Sequence, residues 1–149
     1  MLLDKGAEVN AQGGVYGNAL QAASLTGHDQ VVQMLLDKGA EVNAQGGVYG
    51  NALQAASLTG HDQVVQMLLD KGADVNAQGG SYGNALQAAS EEGHDQVVQM
   101  LLDKGADVNA QGGSYGNALQ AASEEGHDQV VQMLLDKGAD VNAQRGGCC

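Results

Sequence analysis

Apolar and polar positions recur along this chain with a fixed period of 33 residues. The stretch Asn18–Gln45 reads NALQAASLTGHDQVVQMLLDKGAEVNAQ and returns, nearly letter for letter, at Asn51, Asn84 and Asn117. Inside it, Ala19–Thr26 is rich in Ala and Leu and follows Asn18, whose side chain can accept from the free N–H groups that open a helix. A short first helix is predicted there, stopped by Gly27. Asp29 then sits at the positive end of a second helix in which Val31, Val32, Leu35 and Leu36 recur at helical spacing. Lys38 falls in its last turn and Gly39 ends it. The connection Ala40–Gly50 is Gly-rich and turn-prone, carrying GGVYG in early copies and GGSYG in later ones.

Repetition at this period describes stacked supersecondary units, because one such unit cannot bury its apolar side alone and its neighbours must cover it. Four copies exceed the roughly three that a stack needs. The chain has no Trp, Phe or Pro, and its only aromatics are Tyr16, Tyr49, Tyr82 and Tyr115, so the core must be built from Ala, Val, Leu and Met. Met1–Gln33 and Met34–Gln66 are identical, as are Met67–Gln99 and Met100–Gln132. The two pairs differ at few places. Glu8 and Glu41 become Asp74 and Asp107, Val15 and Val48 become Ser81 and Ser114, and Leu25-Thr26 and Leu58-Thr59 become Glu91-Glu92 and Glu124-Glu125.

Gly27-His28, then Val31-Val32, Leu35-Leu36, Gly39-Ala40 and Val42-Asn43-Ala44, is similar to the ankyrin repeat pattern GHxxVVxxLLxxGAxVNA. The resemblance covers Met1–Gln144. It implies an all-α ankyrin-repeat solenoid of four helix-turn-helix units of 33 residues with projecting hairpin-like loops. The expected division is a partial repeat at 1–12, repeats at 13–45, 46–78, 79–111 and 112–144, and a tail at 145–149. Where the family usually has TPLH, this chain has Asn18-Ala19-Leu20-Gln21. Asn caps well, Ala favours the helix, and the Gln amide can both donate and accept where the family's His ties adjacent loops. Gly13 and Tyr16 stand where the family has its turn Asp and Gly. This NAQGGxYGNALQAA variant resembles ankyrin arrays of large fungal receptor-like proteins, or a consensus design drawn from them.

The formal net charge of −12 argues against nucleic acid and anionic membranes as partners, since both require a positive face. No stretch approaches the roughly 20 apolar residues of a membrane span, and MLLDKGAEVN lacks a basic start followed by an apolar run. A cytoplasmic location is the expectation. Cys148 and Cys149 end the chain and have no third thiol to pair with, so a disulfide framework is excluded. They are expected to form a flexible tail that can cross-link chains in air.

Catalytic and metal chemistry find little support. His28, His61, His94 and His127 stand one unit apart, roughly 10 Å by the spacing of packed helices, whereas zinc ligands lie within about 2 Å of the metal. A histidine packed at the helix turn and bonded to backbone is expected at each position. The carboxylates recur with the same neighbours, so no pair has the asymmetry that separates an acid from a base. Ser24, Ser57, Ser90 and Ser123 fall on the inner side of the first helix. The GGVYG loops lack the preceding strand and following Lys of a phosphate cradle. No enzyme activity, cofactor or metal is called for.

Two features suit a binding surface. Tyr16, Tyr49, Tyr82 and Tyr115 form a ladder beside the loop tips, where large amphipathic rings favour interfaces, although the same rings can serve to cover neighbouring loops. The resemblance places Leu25-Thr26, Leu58-Thr59, Glu91-Glu92 and Glu124-Glu125 on a concave groove that contacts partners. That groove would be mildly apolar toward the N-terminus and acidic toward the C-terminus: residues 1–66 carry six acids and two lysines, net −4, and residues 67–132 ten acids and two lysines, net −8. A protein partner with a basic segment would be steered to the second half, unless the glutamates serve only solubility. The expected function is a non-enzymatic protein–protein interaction module. The rival expectation is a repeat scaffold with no dedicated partner, whose uncapped ends expose Leu20, Val32 and Leu36 and stack chain on chain. Fraying should then start at the N-terminal end.

Overall fold

The structure, a computed structural model, describes residues 8–143. The tail with Cys148 and Cys149, and most of the 1–12 stretch, lie outside the described residues. Among the described residues eight α-helices follow in order: α1 (Ala19–Thr26), α2 (Asp29–Asp37), α3 (Ala52–Thr59), α4 (Asp62–Asp70), α5 (Ala85–Glu92), α6 (Asp95–Asp103), α7 (Ala118–Glu124) and α8 (Asp128–Asp136). They form consecutive helix pairs, and both predicted helices of a copy appear where the pattern puts them.

Each first helix opens on an asparagine cap. Asn51 Oδ1 accepts from the Gln54 backbone N–H at 2.8 Å, and Asn18, Asn84 and Asn117 repeat the bond. The first helices stack on one another, α1 on α3 on α5 on α7, with α2, α4, α6 and α8 alongside. Their small side chains permit the close approach: Ala55, Ala56 and Ser57 are fully buried, as are Ala88, Ala89 and Ser90. Leu53, Leu86, Val65, Val98, Leu68 and Leu101 fill the seam beside them.

Cover by a neighbour decides burial, not the residue alone. Val64 and Val97 are 1% exposed, yet the equivalent Val31 of α2 is 44% exposed. Leu20 and Val32, expected to be exposed at the N-terminal end, are instead buried, because the following helix pair covers the side of the first pair on which they lie. Leu36 is half-buried. Among the described residues, the large apolar side chains left open at that end are Val15, Tyr16, Val31 and Met34. Ser123, expected on the inner side, is exposed, because among the described residues no further first helix stacks on α7 as α5 and α7 stack over Ser57 and Ser90.

Loops and turns are tied from one copy to the next. The hairpins close through Gly46 N–H donating to Gly50 O at 2.9 Å and Gly79 N–H to Gly83 O at 2.8 Å. Adjacent loops join through backbone: Val48 N–H donates to Val15 O at 3.0 Å and Ser81 N–H to Val48 O at 2.9 Å. Gln21, Gln54 and Gln87 donate through Nε2 to Gly46, Gly79 and Gly112 carbonyls at 2.7–2.8 Å, tying adjacent loops as their replacement of the family's His anticipates. On the opposite side, Asn43 Oδ1 accepts from Asp74 N–H at 2.7 Å while its Nδ2 donates to Gly72 O at 3.1 Å, and Asn10, Asn76 and Asn109 do the same. This asparagine ladder had no separate signal in the helical periodicity.

His61, His94 and His127 pack at the helix turn of the preceding pair, whereas His28, for which the same packing is expected, is exposed. His94 Nε2 donates to Leu58 O and His127 Nε2 to Glu91 O, both at 2.9 Å. Each ring fits beneath the glycine that ends the first helix of the preceding pair. Gly60 has φ 74°, and a Cβ there would stand 2.5 Å from His94 Nδ1. Gly126 has φ 73° and open space around it. Gly126→Ala should therefore cost only the left-handed backbone penalty, about 1–2 kcal/mol. Gly60→Ala should cost about 1 kcal/mol more, since the His94 ring must move as well. Denaturant unfolding of the two variants checks this; equal losses would contradict the packing role of His94.

Candidate functional site

The tyrosines are set by the hairpin register. Tyr16 and Tyr49 stack at 6.2 Å between ring centroids and 14° between planes, and Tyr49 and Tyr82 at 6.3 Å and 5°. Among the described residues the stack ends at Tyr82. Tyr115 is engaged differently: its hydroxyl donates to Glu125 Oε2 at 3.2 Å. Between Tyr82 and Tyr115 lies a pocket of about 250 Å³ lined by Ser81, Tyr82, Gln87, Glu91, Ser114 and Tyr115.

The structure thus brings together residues that the sequence offered as two separate features. Tyr82, Glu91 and Tyr115 share one pocket, and Glu125 joins them through the Tyr115 hydroxyl. Glu92 and Glu124 are exposed at the ends of α5 and α7. The linear sequence gives Ser81, Ser114 and Gln87 no such role on their own. The available signal was the exchange of Val15 and Val48 for Ser81 and Ser114, in step with the Leu-to-Glu exchange at position 91.

The remaining residues of the expected surface lie elsewhere. Tyr16 and Thr26 line an apolar groove on the first helix pair with Ala19, Ala22, Ala23 and Val31. Leu25 and Leu58 are half-buried at the ends of α1 and α3. The Thr26 and Thr59 hydroxyls donate to Ala22 O at 2.9 Å and Ala55 O at 3.1 Å, so their polar atoms serve their own helices.

The field in the second half is negative and partly desolvated. Burial raises Glu91 above the usual carboxylate range, with Glu92 and Glu125 adding repulsion and Tyr115 opposing it. Tyr82 is raised by burial, then by Glu91, Tyr49 and Glu92. Tyr115 is pushed up to about 12 by partial desolvation, its hydrogen bond to Glu125, and the charges of Glu91, Glu125 and Glu124.

The family model described as ankyrin repeats (3 copies) matches residues 1–79, 47–112 and 78–145. The chain belongs to the ankyrin repeat family. Ankyrin repeats are generally protein–protein interaction modules and generally non-enzymatic. No curated protein matches this ankyrin chain. Among its described residues, no helix is long and apolar enough to cross a membrane.

Because Glu91 is raised in the folded state, folding favours its protonated form. The stability this gives is present below the ordinary carboxylate pKa and is lost as pH rises through the raised value. Glu91→Gln, which stays neutral, should raise the melting temperature at about pH 7 and give little gain at about pH 4. A gain that is the same at both pH values would show that charge is not its cause.

Proposed function

We propose that this chain is a non-enzymatic protein-binding module that holds a partner through the concave groove at its first-helix ends and loop tips. Its four helix pairs then count as four units, at 13–45, 46–78, 79–111 and 112–144. The Leu25, Thr26, Leu58, Thr59 half is the mildly apolar part of the groove. The half carrying Glu91, Glu92, Glu124 and Glu125 takes a basic segment of the partner.

One observation carries this reading. Copies that are otherwise near-identical differ at Val-to-Ser, Leu-to-Glu and Thr-to-Glu positions, and these exchanges gather around Tyr82 and Tyr115. The remaining exchange, Glu to Asp, has a local structural account: Asp74 and Asp107 Oδ1 accept from Asn76 and Asn109 N–H at 3.0 Å, a turn that the shorter side chain favours. A surface that needed only solubility would not require Ser81, Ser114 and Glu91 to line one pocket with Glu125 bonded to its Tyr115, while Glu92 and Glu124 stay exposed outside it.

The groove reading makes association electrostatically steered. Replacing Glu91, Glu92, Glu124 and Glu125 together by Gln should slow association of a fluorescent oligolysine peptide about tenfold at low salt and flatten its salt dependence. Stopped-flow mixing measures both; an unchanged rate would remove the acidic groove.

A second reading is end-to-end self-association. The open faces of Tyr16 and Val31 have the same residue types as Tyr49 and Val64, which packing covers to a greater extent inside the stack. A second copy is therefore the occupant that the groove at Ala19, Ala22 and Val31 fits. Light scattering over a concentration series with reductant present tests it: rising mass supports stacking, and a constant monomer mass removes it.

A further inference from the structure

We infer that the pocket between Tyr82 and Tyr115 is a receptor for one arginine side chain of a partner. The inference rests on the basic-segment reading above and narrows it to one guanidinium and one pocket.

The argument starts from where the ring stack ends. Tyr16, Tyr49 and Tyr82 lie nearly parallel with centroids 6.2–6.3 Å apart, and a fourth ring would be expected to continue the series. Instead, the Tyr115 hydroxyl is held by Glu125, and the space between Tyr82 and Tyr115 is a pocket. A flat cation stacks on a tyrosine ring and is attracted by its electron-rich face.

The walls supply acceptors for such a cation. Glu91 contributes a carboxylate, and Ser81 and Ser114 contribute hydroxyls. In the first half of the chain, the same positions are Leu25 or Leu58, and Val15 or Val48, so no such acceptors exist there. Gln87 completes the lining. It is 4% exposed; its Nε2 is committed to Gly112 O at 2.7 Å, and its Oε1 accepts no hydrogen bond among the described residues. The equivalent oxygens of Gln21, Gln54 and Gln120 are buried and unpartnered in the same way, so Gln87 closes the pocket wall, and the acceptors particular to this pocket are Glu91, Ser81 and Ser114. An acceptor-rich, partly dry pocket between two aromatic rings matches the five fixed donors and flat shape of guanidinium better than the compact, strongly hydrated ammonium of lysine.

The test uses the whole chain under reducing conditions and the capped tripeptides acetyl-Gly-Arg-Gly-amide and acetyl-Gly-Lys-Gly-amide, followed through the NMR ring signals of the tyrosines. The arginine peptide should shift Tyr82 and Tyr115 saturably and leave Tyr16 unmoved. The lysine peptide should bind at least about threefold more weakly. Glu91→Leu should lower arginine-peptide affinity about tenfold. This variant puts at position 91 the residue that the first half already carries at positions 25 and 58, so its fold is provided for. Tyr115→Leu should erase the preference for arginine over lysine. Equal binding of the two peptides, or full affinity in Glu91→Leu, overturns the pocket assignment. If the oligolysine association and its salt dependence persist in that case, the acidic groove stands without the pocket; if they are also absent, both fall.

Discussion

Everything in this molecule depends on how closely each first helix can approach the next. The helices α1, α3, α5 and α7 stack through faces of Ala and Ser, and any larger side chain at Ala55, Ala56 or Ser57 would force them apart. That approach brings the loop edges into register, so that Gln54 can reach Gly79 and Val48 N–H can reach Val15 O. It also sets the 6.2–6.3 Å spacing of the tyrosine stack. The second helices contact each other less, and the asparagine ladder and the histidines secure their side of the stack.

A scaffold of this kind separates stability from recognition. The side-chain ties that hold the copies together use Asn, Gln and His positions that stay constant along the chain, and exchanged positions such as Val48, Ser81 and Asp74 enter the ties only through their backbone. The second half can therefore become acidic without disturbing the seam. The cost is local: Glu91 is raised by burial and by Glu92, a strain that a positively charged occupant would relieve.

Much of the fold was legible in the sequence. The caps at Asn18 and Asn51, the stops at Gly27 and Gly60 and the helical spacing of the Val and Leu positions place the helices as observed. What was not legible depends on neighbours. Leu20 and Val32 look like end residues when the chain is read in order, but burial follows from which side the next pair covers. Asn43 contributes no periodicity, so its reach to Asp74 and Gly72 emerges only in three dimensions. The site was legible in its parts, Tyr82 and Glu91, but not in its assembly, because Ser81 and Ser114 acquire meaning only when adjacent loops stand side by side.

The central claim is that each helix pair is stabilised mainly by its neighbours on both sides. Native-state hydrogen exchange tests it amide by amide. The account predicts that α3 and α5, covered on both faces, exchange more slowly than α1 and α7, whose Ala19, Leu119 and Ser123 have incomplete cover. Equal protection in all four first helices would contradict it, because the stack would then open as one unit.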